Sequence, residues 1–147
     1  ESINYALDNS RLLFKSDAFI KLTGRVRILN FDCVMRSAYG ANSFYAIANG
    51  QFPYVETIFY RVEKSFFQQH LADIGHLVFD DKKMYLERVA YQRLLELAKH
   101  HQVGSFRAYR FIEGVSASTG NPYATKLPYK ISNSLHAFLR RFDINRQ

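Results

Sequence analysis

Apolar positions along this chain change their period several times, and each change marks a different kind of element. The opening stretch through Thr23 fits either a short helix or a strand. From Gly24 the pattern becomes extended. Val26, Ile28 and Asn30 fall on one side of the stretch Arg25 to Met35, and Leu29, Phe31 and Cys33 fall on the other. Both sides are largely apolar, which predicts a buried strand. Ser37 to Ser43 is small, polar and glycine-containing and reads as a turn, with the sticky residues Phe44, Tyr45 and Ile47 beyond it.

From Pro53 the period shifts to that of a helix, with Val55, Ile58, Phe59, Val62, Phe66 and then His70 or Leu71 on one face. A proline is tolerated at a helix start, so the pattern predicts a helix of about five turns ending near Gly75. A second helix is signalled by Asp80 and Asp81 as cap and first-turn anions, followed by Leu86, Val89, Ala90, Leu94 and Leu97 on one face. Lys99, His100 and His101 then sit at the negative end of its dipole, with Gly104 just beyond. Ser105 to Ile112 alternates as a strand, placing Phe106, Ala108, Arg110 and Ile112 on one side and Arg107, Tyr109 and Phe111 on the other. Tyr123 to Tyr129 is expected to return beside it as a hairpin, and a short helix is expected from Ile131 to Phe142. The sum is an α+β fold: two main helices, a small mixed or antiparallel sheet, and a basic C-terminal hairpin with a short helix.

Length and composition agree with one compact domain over residues 1–147. The sequence starts at Glu1 without an initiator methionine, which reads as a fragment of a longer chain. Aromatic content is 16%, all Phe and Tyr, which argues against disorder. Cys33 stands alone and supports neither an internal disulfide nor a Cys-based zinc framework, in keeping with a cytoplasmic setting; a buried, inert thiol is expected. No apolar run reaches the roughly 18–20 residues of a membrane span, so no membrane partner is expected.

Charge changes the picture more. The net charge is +7, and most of it lies after Ala98, where Lys99, Arg107, Arg110, Lys126, Lys130, Arg140, Arg141 and Arg146 face only Glu113 and Asp143. Such an asymmetry is the footprint of a surface that meets phosphate. The C-terminal helix, hairpin and short helix outline a winged helix-turn-helix arrangement, a likeness of architecture without a sequence motif. In it Arg107, Arg110, Lys126, Lys130, Arg140 and Arg141 contact phosphates, while Asn133 and His136 read base edges. Tyr109 and Phe111 also suit base stacking on an exposed strand. The expected function is therefore nucleic-acid binding, with DNA favoured over RNA and the duplex over a single strand.

Two alternatives stand beside it: a protein-interaction domain anchored by Tyr, Phe and Arg, and a metal-dependent nucleic-acid-processing enzyme. For the latter, Asp32, Glu56, Glu63 and Asp73 would have to converge. Asp32, inside a predicted strand, is the carboxylate most in need of a partner, with Arg25 or Arg36 available. His70, Asp73 and His76 have helical metal-ligand spacing, but Gly75 interrupts it and a further ligand from His100 or His101 would be required. Glu63-Lys64 falls in a predicted helix and lacks the pattern of a restriction-type nuclease. The loop Ser116 to Gly120 has no P-loop sequence, and no dinucleotide fingerprint, G-x-S-x-G or HExxH motif occurs. The sequence thus assigns no catalytic residue, cofactor or resident metal.

Overall fold

The computed structural model describes residues 2–47, 53–115 and 120–123. Helices α1 (Ser2–Asn9) and α2 (Arg11–Phe14) open the chain, Ser10 capping the second by accepting the Leu13 amide. Strands β1 (Ala18–Leu22) and β2 (Val26–Ile28) follow, then α3 (Phe31–Arg36), β3 (Asn42–Phe44), β4 (Ala46–Ile47), β5 (Tyr54–Val55), β6 (Phe59–Glu63) and α4 (Lys64–His70). Two 3₁₀ turns, Ile74–Leu77 and Asp80–Lys82, lead into α5 (Leu86–Leu97), and β7 (Val103–Ser105) and β8 (Ile112–Gly114) complete the described elements. The fold is α+β.

The main sheet has the order β1-β6-β3-β7. Its first three strands pair antiparallel and β7 joins β3 in parallel. Two ribbons, β2-β8 and β4-β5, flank it. β6 lies between β1 and β3, and its residues point alternately to opposite faces. Tyr60 and Val62 enter one hydrophobic cluster, with Phe19, Phe44, Phe66, Phe67, Val89 and Leu94, while Phe59 enters a second, with Ile28, Val34, Tyr45 and Phe106.

That two-sided burial explains the largest departure from expectation. The helix expected from Pro53 to about Gly75 is instead β5, β6, α4 and a 3₁₀ turn. A central strand buried on both faces reads as a nearly continuous apolar run, and Val55, Phe59 and Val62 match a helical stripe by coincidence. Tertiary pairing decided against the helix, and Phe59 and Val62 are fully buried. Only the last third, with Phe66, Phe67 and Leu71 buried, kept the expected helical face.

The strand expected over Arg25 to Met35 shrinks to β2. Asn30 departs from extended geometry and spends its amide on the 109–111 segment, donating to the Tyr109 carbonyl at 2.8 Å and accepting from the Phe111 amide at 2.8 Å. The chain then turns into α3, where Asp32 and Cys33 are exposed, so neither the strand-buried aspartate nor the buried thiol is found. α5 forms as expected, burying Val89, Ala90 and Leu94. Its start lies later than the acidic pair, because Asp80 and Asp81 belong to a 3₁₀ turn closed by the Phe79–Met84 bridge. Among the described residues no helix is long and apolar enough to cross a membrane.

Candidate nucleic-acid interface

The segment after β7 was expected to be a strand carrying cations on a hairpin. It pairs only once, Phe106 bridging to Ala38, and then runs irregularly to β8, which pairs with β2. The inside-outside alternation nevertheless survives without the ladder: Phe106 and Arg110 are buried, Arg107 is exposed, and Tyr109 and Phe111 are half-buried. The returning chain bridges Pro122 to Val115, and the Tyr123 amide donates to the Gly114 carbonyl at 2.9 Å. Tyr123, the first residue of the expected return, thus meets the end of β8, and residues 124–129 lie outside the described residues.

Arg110 and Arg107, both expected to face phosphate, have opposite fates. Arg110 is 4% exposed, ion-paired to Glu56, with its guanidinium 4.1 Å from the centre of the Tyr45 ring. Tyr45 in turn donates its hydroxyl to the Ala108 carbonyl at 2.7 Å and stacks on Phe106 at 5.0 Å. An arginine held in this way is part of the interior and is withdrawn from any phosphate-facing surface. Tyr109 and Phe111 are half-buried, their rings 5.8 Å apart and their backbone clamped by Asn30.

Arg107 does reach solvent. Its guanidinium lies 4.8 Å from the centre of the Tyr39 ring, and Tyr39 is 54% exposed. The Arg107 amide donates to the Ser37 carbonyl at 3.1 Å, which sets it beside the end of α3, where Arg36 is exposed. Neither arginine has an ion-pair partner among the described residues. Gly104 makes this arrangement possible, since a Cβ there would overlap the Tyr39 backbone carbonyl. Tyr39 and Arg36 were missed in the sequence because Tyr39 sat in a segment read as a turn. The available signal was an aromatic between small residues, followed by Gly40 at φ 81°.

Lys126, Lys130, Asn133, His136, Arg140 and Arg141 lie outside the described residues, as do the expected C-terminal helix and most of the Ser116 to Gly120 loop. Among the described residues the four carboxylates are engaged separately: Asp32 and Asp73 are exposed, Glu56 is paired with Arg110, and Glu63 accepts from the Asn42 amide. His101 does meet His70, ring centres 4.7 Å apart, but among the described residues no group of three or more potential ligands is placed to hold a metal. Comparison with known families, characterised proteins and solved structures finds no match.

Proposed function

We propose that this protein binds nucleic acid through the exposed surface at the end of α3, with Arg107 and Tyr39 stacking on an unpaired base and Arg36 holding adjacent phosphate. The observation that carries this reading is the exposed Arg107–Tyr39 pair. Guanidinium and phenol planes are both stacking platforms for splayed bases, and free arginines beside them neutralise the backbone. A net charge of +7 adds long-range attraction to the same partner. The preference for duplex DNA rested on a basic hairpin whose first strand does not form. An exposed aromatic beside free cations favours a single strand. A cytoplasmic location accompanies this reading.

The test is fluorescence anisotropy with labelled oligo(dT), duplex DNA and hairpin RNA at about 50 and about 200 mM salt. Oligo(dT) binding should be saturable and salt-steep. Tyr39→Ala should weaken it by about tenfold, the scale of one lost base stack. Arg36→Ala and Arg107→Ala should each flatten the salt slope by about 0.7. Failure of every nucleic acid to bind at the lower salt rejects the reading, and a duplex preference unaffected by Tyr39→Ala rejects this site.

One observation favours protein interaction as a second reading. Tyr5, Leu12 and Phe14 on α1 and α2 are 71%, 81% and 78% exposed, an apolar group at the opposite end of the chain from the excess charge. Salt-insensitive association, with a mass that rises with concentration, would support it.

A further inference from the structure

Between α1, α4, α5 and the main sheet lies a cavity of about 340 Å³, walled by core side chains that include Phe44, Phe67, Leu71, Ala90 and Leu94. This volume falls in the range of small-molecule sites, roughly 300–1,000 Å³. One wall differs from the rest. Lys21 of β1 stands directly across from Tyr60 of β6, so the two side chains share the face that borders the cavity. The Lys21 Nζ donates to the Thr57 carbonyl and to Thr23 Oγ1, and lies 6.0 Å from the centre of the Tyr60 ring. An ammonium has three N–H donors, so one remains. Tyr60 is buried and lines the same cavity.

We propose that this cavity binds a small apolar carboxylate, such as a medium-chain fatty acid, with the head group on Lys21 Nζ and the Tyr60 hydroxyl and the hydrocarbon body among the core side chains. The spare Lys21 donor calls for an acceptor, and the largely apolar walls call for a hydrocarbon body. Burial holds the Lys21 pKa below its ordinary value, against a smaller upward pull from Glu87. Glu87 is engaged by Thr57 Oγ1 at 2.9 Å and makes no direct ion pair with Lys21. A bound carboxylate supplies the close counter-charge the ammonium lacks. The site shares no residue with the Arg107–Tyr39 surface, so the two proposals stand or fall separately.

The experiment is calorimetric titration at neutral pH with sodium decanoate and with decanol, each below its self-association limit, against the unaltered protein, Lys21→Met and Ala90→Leu. The unaltered protein should bind one decanoate per chain, at least about tenfold more tightly than decanol, the scale of a charge-assisted hydrogen bond. Lys21→Met should remove that preference and leave decanol binding within about threefold, while Ala90→Leu, which fills the cavity, should weaken both ligands. Thermal melts of each variant report whether it folds, and the decanoate preference of the unaltered protein is a test that needs no substitution. Absence of saturable decanoate binding, or equal affinity for decanoate and decanol, overturns the proposal.

Discussion

The two hydrophobic clusters on opposite faces of the central sheet handle space and charge differently. On the face of Tyr60 and Val62, α1, α4 and α5 cover the sheet but leave room between them, and a lysine stands at the edge of that room. On the face of Phe59, aromatic rings close over one another: Phe106 lies 5.0 Å from both Tyr45 and Phe59, and Phe31 meets Phe59 edge-on. There the cation, Arg110, is given both a carboxylate and a ring. Lys21 receives a carbonyl, a hydroxyl and a more distant ring, but no paired carboxylate. A cation held by a carboxylate and a ring locks its surroundings, whereas the lysine keeps an N–H at the edge of the open room.

Removing the carboxylate from Arg110 should break the closed face most severely. Glu56→Ala removes the carboxylate paired with a guanidinium at 5% side-chain exposure and should cost about 3–5 kcal/mol in urea denaturation. Glu56→Ala with Arg110→Met should recover most of that loss, because no uncompensated charge remains. Arg27 and Glu113 supply the control on the surface, at 72% and 56% exposure, and Arg27→Ala should cost less than about 1 kcal/mol. Similar losses for the two pairs would mean that Arg110 is solvated in solution.

A smaller effect separates the two faces by packing. Phe59→Ala removes a fully buried ring held by three aromatic neighbours and should cost about 3–5 kcal/mol. Leu94→Ala, beside existing empty space, should fall near the lower end of its class, about 2–3 kcal/mol. Decanoate at saturation should stabilise the unaltered protein and the Phe59→Ala variant alike, since the ring lies on the other side of the sheet. Equal costs for the two truncations would remove the packing distinction.

These contrasts also explain how far the sequence could be read. α5 was legible because Val89, Ala90 and Leu94 repeat on one face, and burial on one side is what periodicity measures. β6 was not, because burial on both sides erases the period, and its place between β1 and β3 depends on chain far away. Arg110 was placed on one side of a strand that does not form, and its charge suggested the surface. What reversed that was Glu56, 54 positions earlier, which no local pattern connects to it. The Lys21–Tyr60 pair is invisible for the same reason: it exists only through the β1–β6 register.

The weakest expected effect is a pH dependence confined to the open face. His70, in the last turn of α4, packs against Phe66 and His101 at 5.0 and 4.7 Å, and its buried Nε2 has no hydrogen-bond partner among the described residues. Its pKa is lowered from 6.5, first by burial and then by the charges of His101 and Arg93. The unfolded chain therefore takes up this proton at a higher pH than the folded one. The stabilising contribution of neutral His70 is complete above about pH 6.5, shrinks as pH falls towards the folded pKa, and changes no further below it. Unfolding free energy should fall between neutral pH and about pH 5, and His70→Phe, which keeps a ring and cannot titrate, should flatten that slope. Hydrogen exchange locates the effect: amides of α4 should lose protection in this window before those of β2 and β8, which lie against the Arg110 side. An unchanged slope in His70→Phe, or equal loss of protection in both places, would show that protonation of His70 does not distinguish the two faces.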